Sequence, residues 1–339
     1  MTMFKKDRTF IIAEAGINHN GSFNIAKKLI VAAKAVGADA VKFQAFKTGE
    51  FIIKEARKAA HVKGQKSFFE LIKSWELKEQ DYVKLAAFAK RQKMMFFASV
   101  FGPKSMKMLE KIRVPIYKIA SMDLNNHPFL RAVAKTRKPV IISTGMGNLV
   151  EIRRAVKILE SGRGEIGILH CVALYPPEAG EFHLEKIGIL KKIFPRHTIG
   201  FSDHSLDILT PVAAAALGAR IIEKHFTLDK KMAGPDQRSS ADPKEFRKMV
   251  DQIRYLEKAI TAPGSKFVAV PREQKMKSAF RRSIVTERAI KKGAVLHEKM
   301  LGFKRPGSGI APSELRKIVG RKAKRDLAPN TIIKFSDLR

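Results

Sequence analysis

Two histidines, two lysines and a set of hydroxyls and carboxylates recur at equivalent places in this chain of 339 residues, each where a short apolar run gives out. His204, in GFSDHS, and His225, in IIEKHFTL, follow consecutive runs. Two neighbouring neutral imidazoles are a common half of a divalent-metal site, completed by water, substrate oxygens or a carboxylate; strand-end histidines also occur simply as hydrogen-bonded structure. Lys42 and Lys118 end two other runs, with Ser99, Ser121, Ser143 and Ser202 at neighbouring ends. Ammonium groups backed by hydroxyls hold phosphate and carboxylate together. A lysine reaching for bulk water is the alternative, which the flanking apolar residues disfavour.

The carboxylates are weaker signals taken singly. Glu14, in IIAEAG, sits deep enough in its run to need a cationic partner, and would orient a substrate hydroxyl or balance charge. Asp123, two residues past Ser121, is a second candidate acid or base. Asp236, in AGPDQRSS, suits sugar hydroxyls or an ordinary turn after proline. Gln44, His170, Tyr175 and Glu223 stand at the same ends.

What positions these groups is the rhythm of the chain. Eight apolar runs, at 10–14, 40–44, 95–99, 116–121, 139–143, 166–170, 198–202 and 220–224, are too short and too evenly apolar for surface strands. Strands buried on both faces have this pattern, and parallel strands need helical crossovers. Helical periodicity supplies them at 24–36, 79–93, 103–111, 127–135, 149–160, 184–193, 205–217 and 243–260. Eight such units predict a (β/α)8 TIM barrel over residues 1–262, with its chemistry where strands end and βα loops begin. The connection 47–77 is long, as βα loops covering an active site tend to be.

Past the barrel, 263–279 holds prolines and a glycine without sustained period and is expected to be a linker. From 280 to 339, alternating runs (SIVTERAI, AVLHEKML, TIIKFSDL) predict a small, mostly-β domain that needs support from a neighbouring surface. No apolar stretch approaches the roughly 20 residues needed to span a bilayer. The start, MTMFKKDRTF, lacks a signal-peptide core, and a single cysteine, Cys171, excludes an internal disulfide framework, so the expected setting is the cytoplasm. The formal net charge is +34, which makes anionic partners worth weighing. The basic residues are spread over every predicted helix without nucleic-acid-binding motifs, which argues for a solvated surface and against a nucleic-acid footprint.

The stretches IIAEAGINHNGS, ADAVKFQ, YKIAS, ISTGM, LHCVALYP, IGFSDHS, IIEKHFTLD and AGPD, in this order, resemble the sialic acid synthase family, which condenses phosphoenolpyruvate with N-acetylated hexosamines to make N-acetylneuraminate, legionaminate or pseudaminate. RRSIVTERAIKKGAVLHEKMLGFKRPGSGIAP resembles that family's C-terminal SAF, or antifreeze-like, domain. The resemblance implies that His204 and His225 hold Mn²⁺ or Mg²⁺. It implies that Lys42, Ser99, Lys118, Ser121, Ser143 and Ser202 hold phosphoenolpyruvate, and that Gln44, Tyr175 and Asp236 contact the amino sugar. It further implies a domain-swapped homodimer in which Arg305, in RPGSG, enters the other copy's site, and a proton-shuttling role for Glu14 or Asp123. Three positions depart from the family pattern: Asp123 for a usual Glu, about 1.5 Å shorter in reach, Gln237 for a usual His, and Ala173 for Ser or Asn. Two other expectations are compatible with the residues alone: a different metal-dependent barrel aldolase or hydrolase, and a non-catalytic anion- or nucleic-acid-binding protein.

Overall fold

The computed structural model describes residues 3–4, 7–56, 67–260 and 268–339, and the chain divides into two compact units, 1–262 and 263–339. In the larger unit eight parallel strands close into a barrel in chain order: β1 Phe10–Gly16, β2 Ala40–Ala45, β3 Met95–Val100, β4 Tyr117–Ile119, β5 Val140–Ser143, β6 Ile166–Cys171, β7 Thr198–Asp203 and β8 Ile221–His225. Pairing of β1 with both β2 and β8 completes the ring. The strands are β-branched and aromatic because both their faces are covered: Ile11, Val41, Phe43, Ile141 and Ile222 are fully buried. Each such side chain contributes roughly 1.5–3 kcal/mol on burial. That fixes register, since a slip of one residue would drive Lys42 or Lys118 into the apolar layer.

Gly200 shows how tightly β7 and β8 approach. A Cβ there would lie 2.4 Å from the Ile221 carbonyl oxygen, a distance no real side chain tolerates. Glycine is therefore the residue that lets β7 run flush against its neighbour.

The crossover helices begin where local caps allow. Ser22 accepts from the Ile25 amide ahead of Phe23–Ala35, and Asn148 forms a capping box with Glu151 ahead of Leu149–Glu160. The helix expected at 205–217 spans only Leu209–Ala216. Its start is displaced because Ser205 is tied to Asp203, while Asp207 Oδ1 accepts from the Leu209 and Thr210 amides. Within the long 47–77 connection, Thr48–Phe51 and Phe68–Trp75 are helical, the latter started by a Ser67/Glu70 capping box; residues 57–66 lie outside the described residues. The run expected to continue to 121 stops at Ile119, and Ser121–Asp123 forms a 3-10 turn.

In the smaller unit β9 Ser283–Thr286 pairs antiparallel with β10 Leu301–Lys304 over a core that includes Ile284, Leu296, Ile318 and Ile333. The third expected run contributes two isolated bridges, Val285 with Ile332 and Ala323 with Leu338, and a 3-10 turn at Phe335–Asp337. Of the stretch expected to be a linker, 263–267 lie outside the described residues, and Pro271–Gln274 and Lys277–Phe280 are short helices. Among the described residues no helix is long and apolar enough to cross a membrane.

Candidate active site

At the C-terminal mouth of the barrel lies a cavity of about 430 Å³. Alternate residues of a strand face alternate sides, and this selects its lining: Glu14 from β1, Lys42 and Gln44 from β2, Ser99 from β3, Lys118 from β4, Ser143 from β5, Ser202 from β7, and Glu223 and His225 from β8. Ser121, Tyr175, His204 and Asp236 join them from the loops that follow. Positions separated by more than two hundred residues in the chain thus meet in one chamber.

The base is an alternating array of charges. Lys42 Nζ lies 2.7 Å from Glu14 Oε2 and 3.6 Å from Glu223 Oε2, and donates to Ser99 Oγ at 2.9 Å. Lys118 Nζ lies 3.7 Å from Glu223 Oε1 and donates to Ser143 Oγ at 2.7 Å. Ser202 Oγ donates to Glu223 Oε1 at 2.9 Å, and Gln44 Nε2 to Glu14 Oε1 at 3.2 Å. Both ammonium groups are desolvated, Lys42 at 2% and Lys118 at 3% exposure, so neither snorkels to water.

Burial and neighbours push these groups apart in proton affinity. Burial raises the Glu14 carboxyl above its ordinary range, against the pull of Lys42 and with the Glu223 anion adding to the rise. Burial also opposes charge on Glu223, but the Lys118 and Lys42 ammoniums outweigh it and hold that carboxyl low. Lys42 ends above its usual value because Glu14 and Glu223 together outweigh its burial. For Lys118 burial wins, and its pKa is depressed despite Glu223. Two carboxylates and two ammoniums in one chamber therefore differ in proton affinity within each pair, Glu14 raised and Glu223 lowered, Lys42 raised and Lys118 lowered.

Higher in the cavity the two histidine rings stand 5.4 Å apart, centroid to centroid, and Tyr175 stacks on His204 at 4.1 Å. His204 Nδ1 meets the Val172 carbonyl oxygen at 2.7 Å. A carbonyl only accepts, so Nδ1 carries the proton and Nε2 keeps a lone pair. Burial lowers the pKa of both rings, His225 the more strongly because His204 and the lysines add to it. His225 Nδ1 is buried without a hydrogen-bond partner and lies 3.7 Å from Asp236 Oδ2. Burial, with Glu14 adding, raises Asp236 to about 7. Two neutral imidazoles with an orphaned ring nitrogen and an adjacent carboxyl fit a divalent cation. Among the described residues no group of three or more His, Cys, Asp or Glu side chains is arranged to hold a metal, so further ligands would come from water or substrate.

Other expected positions lie elsewhere. Asp123 does not line the cavity: it is buried in the turn after β4, where Oδ1 accepts from Asn126 Nδ2 at 3.0 Å. What that turn delivers to the chamber is Ser121, whose Oγ accepts from the Gly145 amide at 3.0 Å. His170 is bonded to the Phe182 carbonyl oxygen. Arg305 belongs to the smaller unit, where it is exposed and its guanidinium lies 5.2 Å from the centroid of the Phe280 ring. Gln237 ties loops together, donating to the Asn18 carbonyl oxygen at 3.0 Å and accepting from Thr227 Oγ1. Ala173 lies on the cavity wall.

Glu223, which touches both lysines, has a larger part in the site than its place in the sequence suggests, and the long 47–77 connection does reach the cavity, through an apolar wall of Phe68, Ile72 and Trp75 that the sequence reading did not name. The signal for Glu223 was present, a carboxylate two residues before His225 on the same strand and hence on the same face. The signal for the wall was brief: Phe68, Ile72 and Trp75 fall at i, i+4 and i+7 behind the Ser67/Glu70 capping box, over only two turns of helix.

Comparison with known proteins gives a consistent set of likenesses. The model of the NeuB family matches residues 29–264 and that of the SAF domain residues 281–339. An uncharacterized protein of Methanocaldococcus jannaschii is 46% identical over 98% of this chain and 96% of its own. The N,N'-diacetyllegionaminic acid synthase of Campylobacter jejuni is 39% identical over 96% of this chain and 99% of its own. Among solved structures, the N-acetylneuraminic acid synthetase of Leptospira borgpetersenii, in complex with citrate, superimposes with a TM-score of 0.70 at 35% identity, covering 79% of this chain and 90% of that one.

Proposed function

Because the chain belongs to the NeuB family and carries a SAF domain at its C-terminus, we propose that it condenses phosphoenolpyruvate with an open-chain N-acetylated hexosamine. N-acetylmannosamine or a deoxy-diacetamido relative would serve as acceptor, giving a nine-carbon 2-keto-3-deoxy acid and inorganic phosphate. One arrangement supports this most: Lys42 and Lys118 astride Glu223, each bonded to a serine, beneath a pair of neutral imidazoles. Lys42, Lys118, Ser99, Ser121, Ser143 and Ser202 would bind the phosphate and carboxylate of phosphoenolpyruvate. Gln44, Tyr175 and Asp236 would orient the sugar.

In the reaction, C3 of phosphoenolpyruvate bonds to the aldehyde carbon and the aldehyde oxygen takes up a proton. Water then adds at C2 and gives up a proton, after which the C2–O bond to phosphate breaks and the ketone forms. Glu14 suits the proton transfers, since burial raises its pKa above the ordinary carboxylate range and its partner Lys42 holds it in place. Glu223, held ionised, keeps both lysines oriented across the site. Asp123 would act at one remove, through the turn that presents Ser121. His204 and His225 would hold Mn²⁺ or Mg²⁺, and a dication there would supply electrophilic polarisation of the aldehyde. We take the working form to be a cytoplasmic homodimer in which Arg305 serves the cavity of a second copy, a reading that sedimentation of the intact protein checks.

The decisive experiment mixes the protein, Mn²⁺, phosphoenolpyruvate and a panel of N-acetylated hexoses and follows phosphate release. Release with at least one sugar, abolished by EDTA and restored by Mn²⁺, is expected. No release with any sugar defeats the proposal, and consumption of a sugar without phosphoenolpyruvate would point to another barrel chemistry.

A further inference from the structure

Asp203, the last residue of β7, stands between Ser202 and His204 in the chain, and Lys224 on β8 stands between Glu223 and His225. Those four line the cavity, so Asp203 and Lys224 point the other way, into the layer between barrel and helices. Strand residues facing that layer are ordinarily apolar, yet here the two side chains are 0% and 1% exposed and charged. They are register partners across the β7–β8 pair, with Lys224 Nζ 2.5 Å from Asp203 Oδ2. Lys224 Nζ also donates to the Ser205 carbonyl oxygen at 2.9 Å, and Asp203 accepts from the Ser205 amide at 3.1 Å and from Ser205 Oγ at 2.8 Å. The network therefore grips the chain on both sides of His204.

A buried ion pair is a weak stabiliser, because desolvating two charges offsets most of their attraction, and apolar residues of similar volume often serve a fold equally well. Fold stability alone leaves this pair without a reason. Its placement supplies one: Asp203 is the covalent neighbour of His204, and Lys224 of His225. We infer that the Asp203–Lys224 pair, with Ser205, is a positioning device that fixes the two imidazoles relative to one another for a shared cation. The inference rests on the reading that His204 and His225 bind a metal.

The test uses the intact chain and Mn²⁺ alone, with binding followed by calorimetry and by the electron paramagnetic resonance signal of free Mn²⁺. Replacing both charges, Asp203→Leu with Lys224→Met, leaves no unpaired buried ion and is expected to keep the melting temperature close to that of the unaltered protein. Mn²⁺ affinity is expected to fall about 10- to 100-fold, as for loss of groups that orient metal ligands. Phosphoenolpyruvate affinity measured in EDTA is expected to stay unchanged, which general loosening of the barrel would not allow. Ser205→Ala keeps the ion pair, removes the hydroxyl's contacts with Asp203, Lys224 and the Asp207 carbonyl oxygen, and is expected to fold normally and weaken Mn²⁺ about threefold, a smaller effect in the same direction. Unaltered Mn²⁺ affinity in the folded variants overturns the positioning role, as does parallel loss of phosphoenolpyruvate binding. Failure of the unaltered protein to bind Mn²⁺ at all overturns the metal reading beneath it.

Discussion

The Glu223 carboxylate lies 3.6 Å from one buried ammonium and 3.7 Å from another, so its charge governs how readily each gives up a proton. Glu223 raises the proton affinity of Lys118, whose pKa burial has already depressed. In Glu223→Gln the Lys118 pKa should fall further, moving the basic limb of the pH–rate profile toward neutrality. An unmoved limb would show that Lys118 does not titrate in the working range. His19 carries a second pH effect, on stability. Burial lowers its pKa from 6.5 to about 4, and its neutral Nδ1 accepts from the Gly21 amide. The unfolded chain therefore binds the extra proton between those pH values. The contribution is complete above pH 6.5 and is lost as pH falls toward 4, in all by about 3 kcal/mol. His19→Gln should flatten the decline of the urea midpoint between pH 7 and 4.5. Among single residues, Glu14, Lys42, Lys118, His204 and His225 were legible in the sequence because each ends an apolar run. Asp123 was not, because one turn of 3-10 helix decides whether position 121 or 123 faces the chamber.

At the scale of elements, the barrel strands were readable because burial on both faces leaves so plain a mark. Their ends were less so. The chain leaves β4 two residues early, and the helix after β7 waits for Asp207 because Ser205 is engaged with Asp203 and Lys224. Tertiary hydrogen bonds settle such boundaries, and no periodicity announces them. One close contact between elements is that of β7 with β8 at Gly200. Gly200→Ala must push a methyl group toward the Ile221 carbonyl, and the variant is expected to lose about 2 kcal/mol in urea unfolding with its m-value unchanged. A variant of unaltered stability would mean that the strands separate more freely than this packing implies.

For the whole molecule, 66 basic residues stand against 32 acidic ones, whereas within the cavity Lys42 and Lys118 are matched by Glu14 and Glu223. The excess thus lies outside the chamber, and on the proposed reading it would act at a distance by raising the local concentration of an anionic substrate. Raising the ionic strength from 0.05 to about 0.5 M shortens the Debye length to a few ångströms. The expected outcome is that kcat/KM for phosphoenolpyruvate falls about tenfold while kcat holds steady. Equal loss of both would place the salt effect on the chemistry and not on the encounter.

The chamber's floor and its apolar side have different origins. The floor is assembled from strand residues whose register the entire ring enforces, whereas Phe68, Ile72 and Trp75 arrive on one short helix of the connection between β2 and β3. On the proposed reading, exchange of that helix alone would reshape one side of the cavity while leaving the strand-borne floor intact. Diversification among such catalysts has a cheap route here, because novelty can enter through a detachable piece of the rim without disturbing the machinery underneath.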